Sequence, residues 1–143
     1  KNHAGVLSSD PQNHEMMVAE RAAKVQKVAD YIPELKVDGP ASGKLLVVGW
    51  GGTYGHVLSA VNEARAEGID VSFAHFDYIM PLPKNTSDVF AGFDKVLVCE
   101  LNSGQFANYL RGVMPQYRYV QANKVQGQPF LVQEIVSAIM NNL

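Results

Sequence analysis

Two short stretches concentrate the residues able to do chemistry. In VVGWGGTYG, residues 47–55, an apolar run passes into Gly49, Gly51, Gly52 and Gly55, and a helical pattern follows. Backbone amides at such a strand-to-helix turn can hold an anion against the helix N-terminus, and Gly51, Gly52 and the Thr53 hydroxyl are the candidate contacts. Two familiar forms of that site fail in detail. The third glycine of the dinucleotide fingerprint would fall at Tyr54, and the acidic residue closing the next strand, Asp77, lies too far downstream. A triphosphate loop must end in Gly-Lys-Ser/Thr, whereas Gly43 and Lys44 precede the strand. A tight turn with close helix packing is therefore the simpler expectation.

The second stretch is ELNSGQF, residues 100–106, again where a strand gives way to a helix. Glu100, Asn102 and Gln105 are placed to converge on a ligand or a neighbouring subunit. The competing reading is that Asn102 or Ser103 caps the next helix, a role these residue types fill readily. Both readings stand at this point.

Other reactive residues offer less. His14-Glu15 lacks the second histidine of a zinc-protease motif, since position 18 is Val18, and no serine stands in a nucleophile-elbow pattern. His75 lies within a strand pattern and reads as a satisfied core or interface residue. Cys99, the only cysteine, sits inside the apolar run KVLVCEL and reads as a buried thiol; alone it excludes a disulfide, a zinc knuckle or an iron–sulfur cluster. No catalytic residue and no metal site is expected in the chain.

Composition agrees with a modest, self-contained domain. The 143 residues are 47% apolar with a net charge of −2, enough for a core without staples and without the basic patch a nucleic-acid partner needs. No apolar run approaches membrane-spanning length, and the reading is of a cytoplasmic protein. The chain begins at Lys1 rather than Met, so a fragment of a longer protein is the expectation.

The elements that must position these residues follow from periodicity. Asp10 and Pro11 start a helix whose Val18, Ala22, Val25, Ala29 and Ile32 recur at spacings of three and four, five to six turns ending at Pro33. An edge strand is expected at Leu35–Val37. KLLVVGW, DVSFAHF, KVLVCEL and a weaker YRYVQA are strands. Helices between and after them show faces at Val57, Leu58, Val61 and Ala64, at Phe106, Tyr109, Leu110 and Val113, and at Leu131, Ile135 and Ile139. FDYIMPLPKNTSDVF is read as an irregular connection held extended by its prolines. Near-continuous apolar strands alternating with amphipathic helices predict an α/β fold, a mostly parallel sheet covered on both faces.

Taken in order, VVGWGGTYG, AHFDYIMPLP and VCELNSGQFANYLR resemble the C-terminal domain of the α subunit of 2-oxoacid:ferredoxin oxidoreductases, especially the 2-oxoglutarate type, a domain similar to the C-terminal domain of transketolase. His3, Gly5, Asp10, His14, Met17, Arg21 and Lys24 resemble the segment leading into it, so the likeness covers essentially the whole chain. It implies a lead-in segment and helix over 1–33 packed on a three-layer αβα domain over 34–143. The sheet would have five strands in order 1-3-2-4-5, with the first antiparallel. It also implies a complete enzyme that decarboxylates a 2-oxoacid with thiamine diphosphate and magnesium, passes the acyl group to coenzyme A, and sends electrons through an iron–sulfur cluster to ferredoxin. None of these cofactors is expected to be bound by this domain. Its partners would be the remaining domains of the α subunit and a β subunit, with a second copy as a weak homodimer partner. The expected role is non-catalytic assembly, the isolated chain being inactive, with Glu100, Asn102 and Gln105 at an interface and the glycine turn at a domain surface near the route of coenzyme A. The alternative is a freestanding anion- or nucleotide-binding module built on Gly49 to Gly55.

Overall fold

A computed structural model describes all residues, 1–143. Helix α1 spans Pro11–Gln26 and tightens into a 3₁₀ turn at Lys27–Asp30. Strand β1 (Val37–Asp38) and strand β2 (Gly43–Trp50) follow, then a 3₁₀ turn at Gly51–Thr53 that leads into α2 (Tyr54–Ala66). The remainder is β3 (Ser72–Phe76), α3 (Thr86–Ala91), β4 (Phe93–Glu100), α4 (Gln105–Val113), β5 (Tyr119–Asn123) and α5 (Val132–Met140).

The five strands lie in the order β1-β3-β2-β4-β5, with β1 antiparallel to β3 and every other pairing parallel. β2 is central and wholly buried from Leu45 to Gly49, which explains its unbroken apolar run. Alternate residues feed two cores. Leu45, Val47, Phe73, Leu97 and Cys99 face α2 and α5, where Val57, Val61, Ile135 and Ile139 close the layer. Leu46, Val48, Phe76, Val96 and Val98 face the other side, where Phe90 of α3 and Phe106 and Leu110 of α4 pack. Each such side chain contributes about 1.5–3 kcal/mol by leaving water, so the sheet stands on its own burial.

Three expectations are corrected. The edge strand starts at Val37 and not at Leu35, because the Leu35 backbone is held by a side chain: its N–H donates to Asn85 Oδ1 at 2.8 Å and its carbonyl accepts from Asn85 Nδ2 at 2.9 Å. The connection after β3 contains a helix, α3, begun where the Thr86 hydroxyl donates to the Pro83 carbonyl at 2.6 Å; six residues are too few for a periodic pattern to show. Helix α1 starts as expected, with Asp10 Oδ2 accepting from the Asn13 N–H at 3.0 Å, but gives way to the 3₁₀ turn after Gln26 and stops short of Pro33. However, it does not bury its apolar face. No residue of α1 is buried, and Val18 and Val25 are 45% and 42% exposed, because no other part of the chain covers them. The lead-in segment is tied down near its end by the Lys84–Asp30 ion pair, shortly before the buried Leu35.

Candidate functional site

Both chemically promising stretches lie at the carboxyl end of the sheet, and local packing explains each. At the β2–α2 turn, a Cβ on Gly49 would stand 2.5 Å from Thr53 Oγ1, so only glycine lets the turn fold back so closely. The Thr53 hydroxyl accepts from the Trp50 N–H and donates to the Trp50 carbonyl, each at 3.0 Å, and Thr53 is buried. That hydroxyl closes the turn and is not offered to a ligand. Gly51 adopts φ +57°, a left-handed conformation that favours glycine. Gly52 and Gly55 differ: neither has positive φ, and a Cβ on either would meet nothing within 4 Å. The start of α2 has no side-chain cap.

At the β4–α4 turn the chain supplies its own anion. Glu100 is fully buried, and its carboxylate accepts from the Phe106 N–H at 2.7 Å and the Ala107 N–H at 2.9 Å, where the positive end of α4 favours negative charge. Its side chain is thus removed from any surface, which corrects its placement at an interface. Asn102 is half-buried; its Oδ1 accepts from the N–H groups of Gly104 (2.8 Å) and Gln105 (2.9 Å), the capping role weighed for it above. Gly104 takes φ +94°, and a Cβ there would press on Gln121 at 2.3 Å. Of the three, only Gln105 exposes its side chain.

The two stretches meet. Gly51, Gly52, Thr53 and Asn102 share a depression of about 130 Å³ with Trp50 and Leu101. Beside it, Gln105 borders an apolar groove of about 140 Å³ formed with Trp50, Ile79, Met80, Phe106 and Tyr109. On the other flank a cleft of about 840 Å³ opens between Pro33–Asp38 and Gly51, Tyr54, Phe73, His75 and Asp77. Around this end Tyr54, Tyr78, Met80 and Leu101 are 52%, 47%, 69% and 40% exposed, a rim of large apolar side chains of the kind that marks a contact surface.

His75 lines the large cleft beside Tyr54 and Asp77. Its Nδ1 is buried with no hydrogen-bond partner within the chain, so the satisfied-core half of the expectation does not hold, and burial lowers its pKa while the Asp77 carboxylate acts in the opposite sense. Trp50 Nε1, on the neighbouring strand, is likewise buried and unpartnered. The available signal was position, since Trp50 ends β2 and His75 is the penultimate residue of β3, at the edge where open α/β sheets place their sites.

The lone cysteine does not suit an iron–sulfur cluster. Burial, with Glu100 beside it, pushes the Cys99 thiol up to about 12, so it stays protonated and fully enclosed, unfit to ligate iron. Nowhere do three His, Cys, Asp or Glu side chains converge. No helix is long and apolar enough to cross a membrane.

No family model matches the chain. It is 39% identical over 139 residues to 2-oxoglutarate oxidoreductase subunit KorA of Mycobacterium tuberculosis, covering 94% of this chain and 20% of that protein. It is 28% identical over 147 residues to 2-oxoacid:ferredoxin oxidoreductase 1 subunit alpha of Aeropyrum pernix, covering 96% and 22%. A solved 2-oxoglutarate:ferredoxin oxidoreductase from Magnetococcus marinus, with 2-oxoglutarate, coenzyme A and succinyl-CoA bound, superposes with a TM-score of 0.85 at 28% identity, over 96% of this chain and 24% of that one. A split-gene transketolase, described as an inactive beta4 tetramer, shares the fold over 76% of this chain, with a TM-score of 0.58 at 15% identity. The chain spans about a fifth of the length of the first two relatives. Along almost its whole length the chain is similar to part of the α subunits of 2-oxoacid:ferredoxin oxidoreductases, and it has the sheet order 1-3-2-4-5 that this resemblance predicts.

Proposed function

We propose that the chain is the C-terminal, non-catalytic assembly domain of a 2-oxoglutarate:ferredoxin oxidoreductase α subunit. The observation that carries the role is where the polar groups go. Glu100, Asn102 and Thr53, the side chains best placed for chemistry, are bonded to the chain's own backbone, while a rim of exposed apolar side chains surrounds them. The 39% match to a 2-oxoglutarate oxidoreductase subunit favours that substrate for the parent enzyme. In this reading the rest of the α subunit and a β subunit supply thiamine diphosphate, magnesium and the cluster. They cover the rim at Asn102 and Gln105 and the bare face of α1, and the complete enzyme transfers the acyl group to coenzyme A and electrons to ferredoxin. By itself the chain is inactive and at most a weak homodimer.

Calorimetric titration of the purified chain with magnesium thiamine diphosphate, coenzyme A, NAD and ATP, each to millimolar concentration, tests this. Silence from all four is the expected result. Heat from coenzyme A would make the glycine turn part of the acyl-transfer site, and tight NAD or ATP binding would replace the assembly domain by a freestanding nucleotide-binding module.

A further inference from the structure

The lead-in helix and the sheet domain are two bodies with little between them. Helix α1 carries its own supports: the Asp10 cap, Pro11 in its first turn, and an N-terminal turn folded back onto it, with His3 Nε2 2.6 Å from Glu20 Oε2 and Asn13 Nδ2 donating to the Lys1 carbonyl at 3.4 Å. Its 16 residues make an arm about 24 Å long. None of them is buried, so apolar packing does not fix the arm's direction. The domain begins at Leu35, which is sunk in the core and whose backbone is gripped by the Asn85 side chain at both N–H and carbonyl. Between the two bodies Ile32, Pro33 and Glu34 lie outside any helix or strand and make no hydrogen bond. Pro33 and Glu34 border the open cleft of about 840 Å³, which leaves room beside them. One ion pair spans this stretch, Lys84 to Asp30, with side chains 66% and 53% exposed.

We propose that α1 is a hinged arm that turns as a unit about residues 32–34, with the Lys84–Asp30 pair as the strap that holds it to the domain. A short connecting segment without hydrogen bonds can absorb the backbone rotation that such a motion needs. Lys84 and Asn85 are neighbours in the chain, so one loop serves both sides of the hinge: Lys84 reaches the arm, and Asn85 fixes where the domain starts. An exposed ion pair is weak and screened by salt, so ionic strength sets how far the arm swings. The hinge stands whichever enzyme the chain serves.

The test is ¹⁵N relaxation NMR of the 143-residue chain, with tumbling times fitted separately to α1 and to strands β2 and β4. The α1 time should be the shorter, while its chemical shifts stay helical. Raising the salt from about 0.02 M to about 0.5 M should shorten it by about a third more, and Lys84→Ala at low salt should do the same, the sheet value being unchanged in each case. Lys84 is exposed, so its removal leaves the two cores intact. A single tumbling time shared by α1 and the sheet, loss of the helical shifts, or an α1 time indifferent to both salt and Lys84→Ala would overturn the proposal.

Discussion

The β4–α4 and β2–α2 turns occupy equivalent places at the carboxyl end of adjacent strands, yet they solve the same electrostatic problem differently. Each must deal with the unpaired N–H groups of a helix start. At α4 the chain does so with the buried Glu100 carboxylate, backed by Asn102. At α2 it uses no side-chain cap, turns Thr53 inward on Trp50, and leaves the surface at Gly52 and Gly55 bare of neighbours. A closed turn is internal structure; an open one beside a cleft and an apolar rim is where a partner has room to approach.

That contrast can be broken at either turn. The largest effect is expected from Glu100→Ala, which leaves two buried N–H groups without their charged acceptor and should cost about 3–5 kcal/mol by denaturant unfolding. Gly49→Ala comes next. Its Cβ must displace Thr53, and a loss of about 1–3 kcal/mol should accompany disruption of the Trp50–Thr53 pair, visible in the Trp50 amide signal. At the open turn the sign reverses: Gly55→Ala, inside α2 with clear space around it, should leave the isolated chain as stable or stabilise it by about 0.5–1 kcal/mol. Gly52→Leu, similarly unhindered within the chain, should leave its melting temperature nearly unchanged. In the intact enzyme it should weaken assembly, and a change confined to coenzyme A affinity would place the acyl carrier there instead.

A smaller effect lies away from both turns, at α5. Lys124 Nζ donates to both Glu134 oxygens, at 3.0 and 2.8 Å, and the Leu131 N–H donates to Oε2 at 2.8 Å. These bonds, the one to Lys124 foremost, lower the Glu134 pKa. A carboxyl depressed in the folded state contributes stability above its unfolded pKa and loses it as pH falls through the folded value. Glu134→Gln should therefore flatten the acid side of the stability profile slightly and leave neutral pH less stable than wild type.

The framework was readable because burial on both sheet faces writes long apolar runs at β2 and β4, and because Asp10-Pro11 and Gly68 mark helix ends by chemistry alone. Gly68 indeed takes φ +84° just past α2. What sequence could not give was direction in space. Glu100 reads as a polar residue at a strand end, and nothing local says that its carboxylate folds inward onto α4. Asn85 likewise looks like a loop residue, although its amide substitutes for a strand partner of Leu35. The α1 pattern marked a helix, but periodicity shows that a face is apolar without showing what covers it, and no residue of α1 is buried within this chain.

The central claim is that this domain assembles the enzyme and takes no part in its chemistry. The most direct test expresses the α subunit without this domain beside its β subunit, supplies the 143-residue chain separately, and measures complex mass and 2-oxoglutarate-dependent ferredoxin reduction together. The account predicts that assembly and activity are lost together and return together when the chain is added. A complex that assembles fully without the chain yet needs it for turnover would contradict the account and assign the domain a direct place in the reaction.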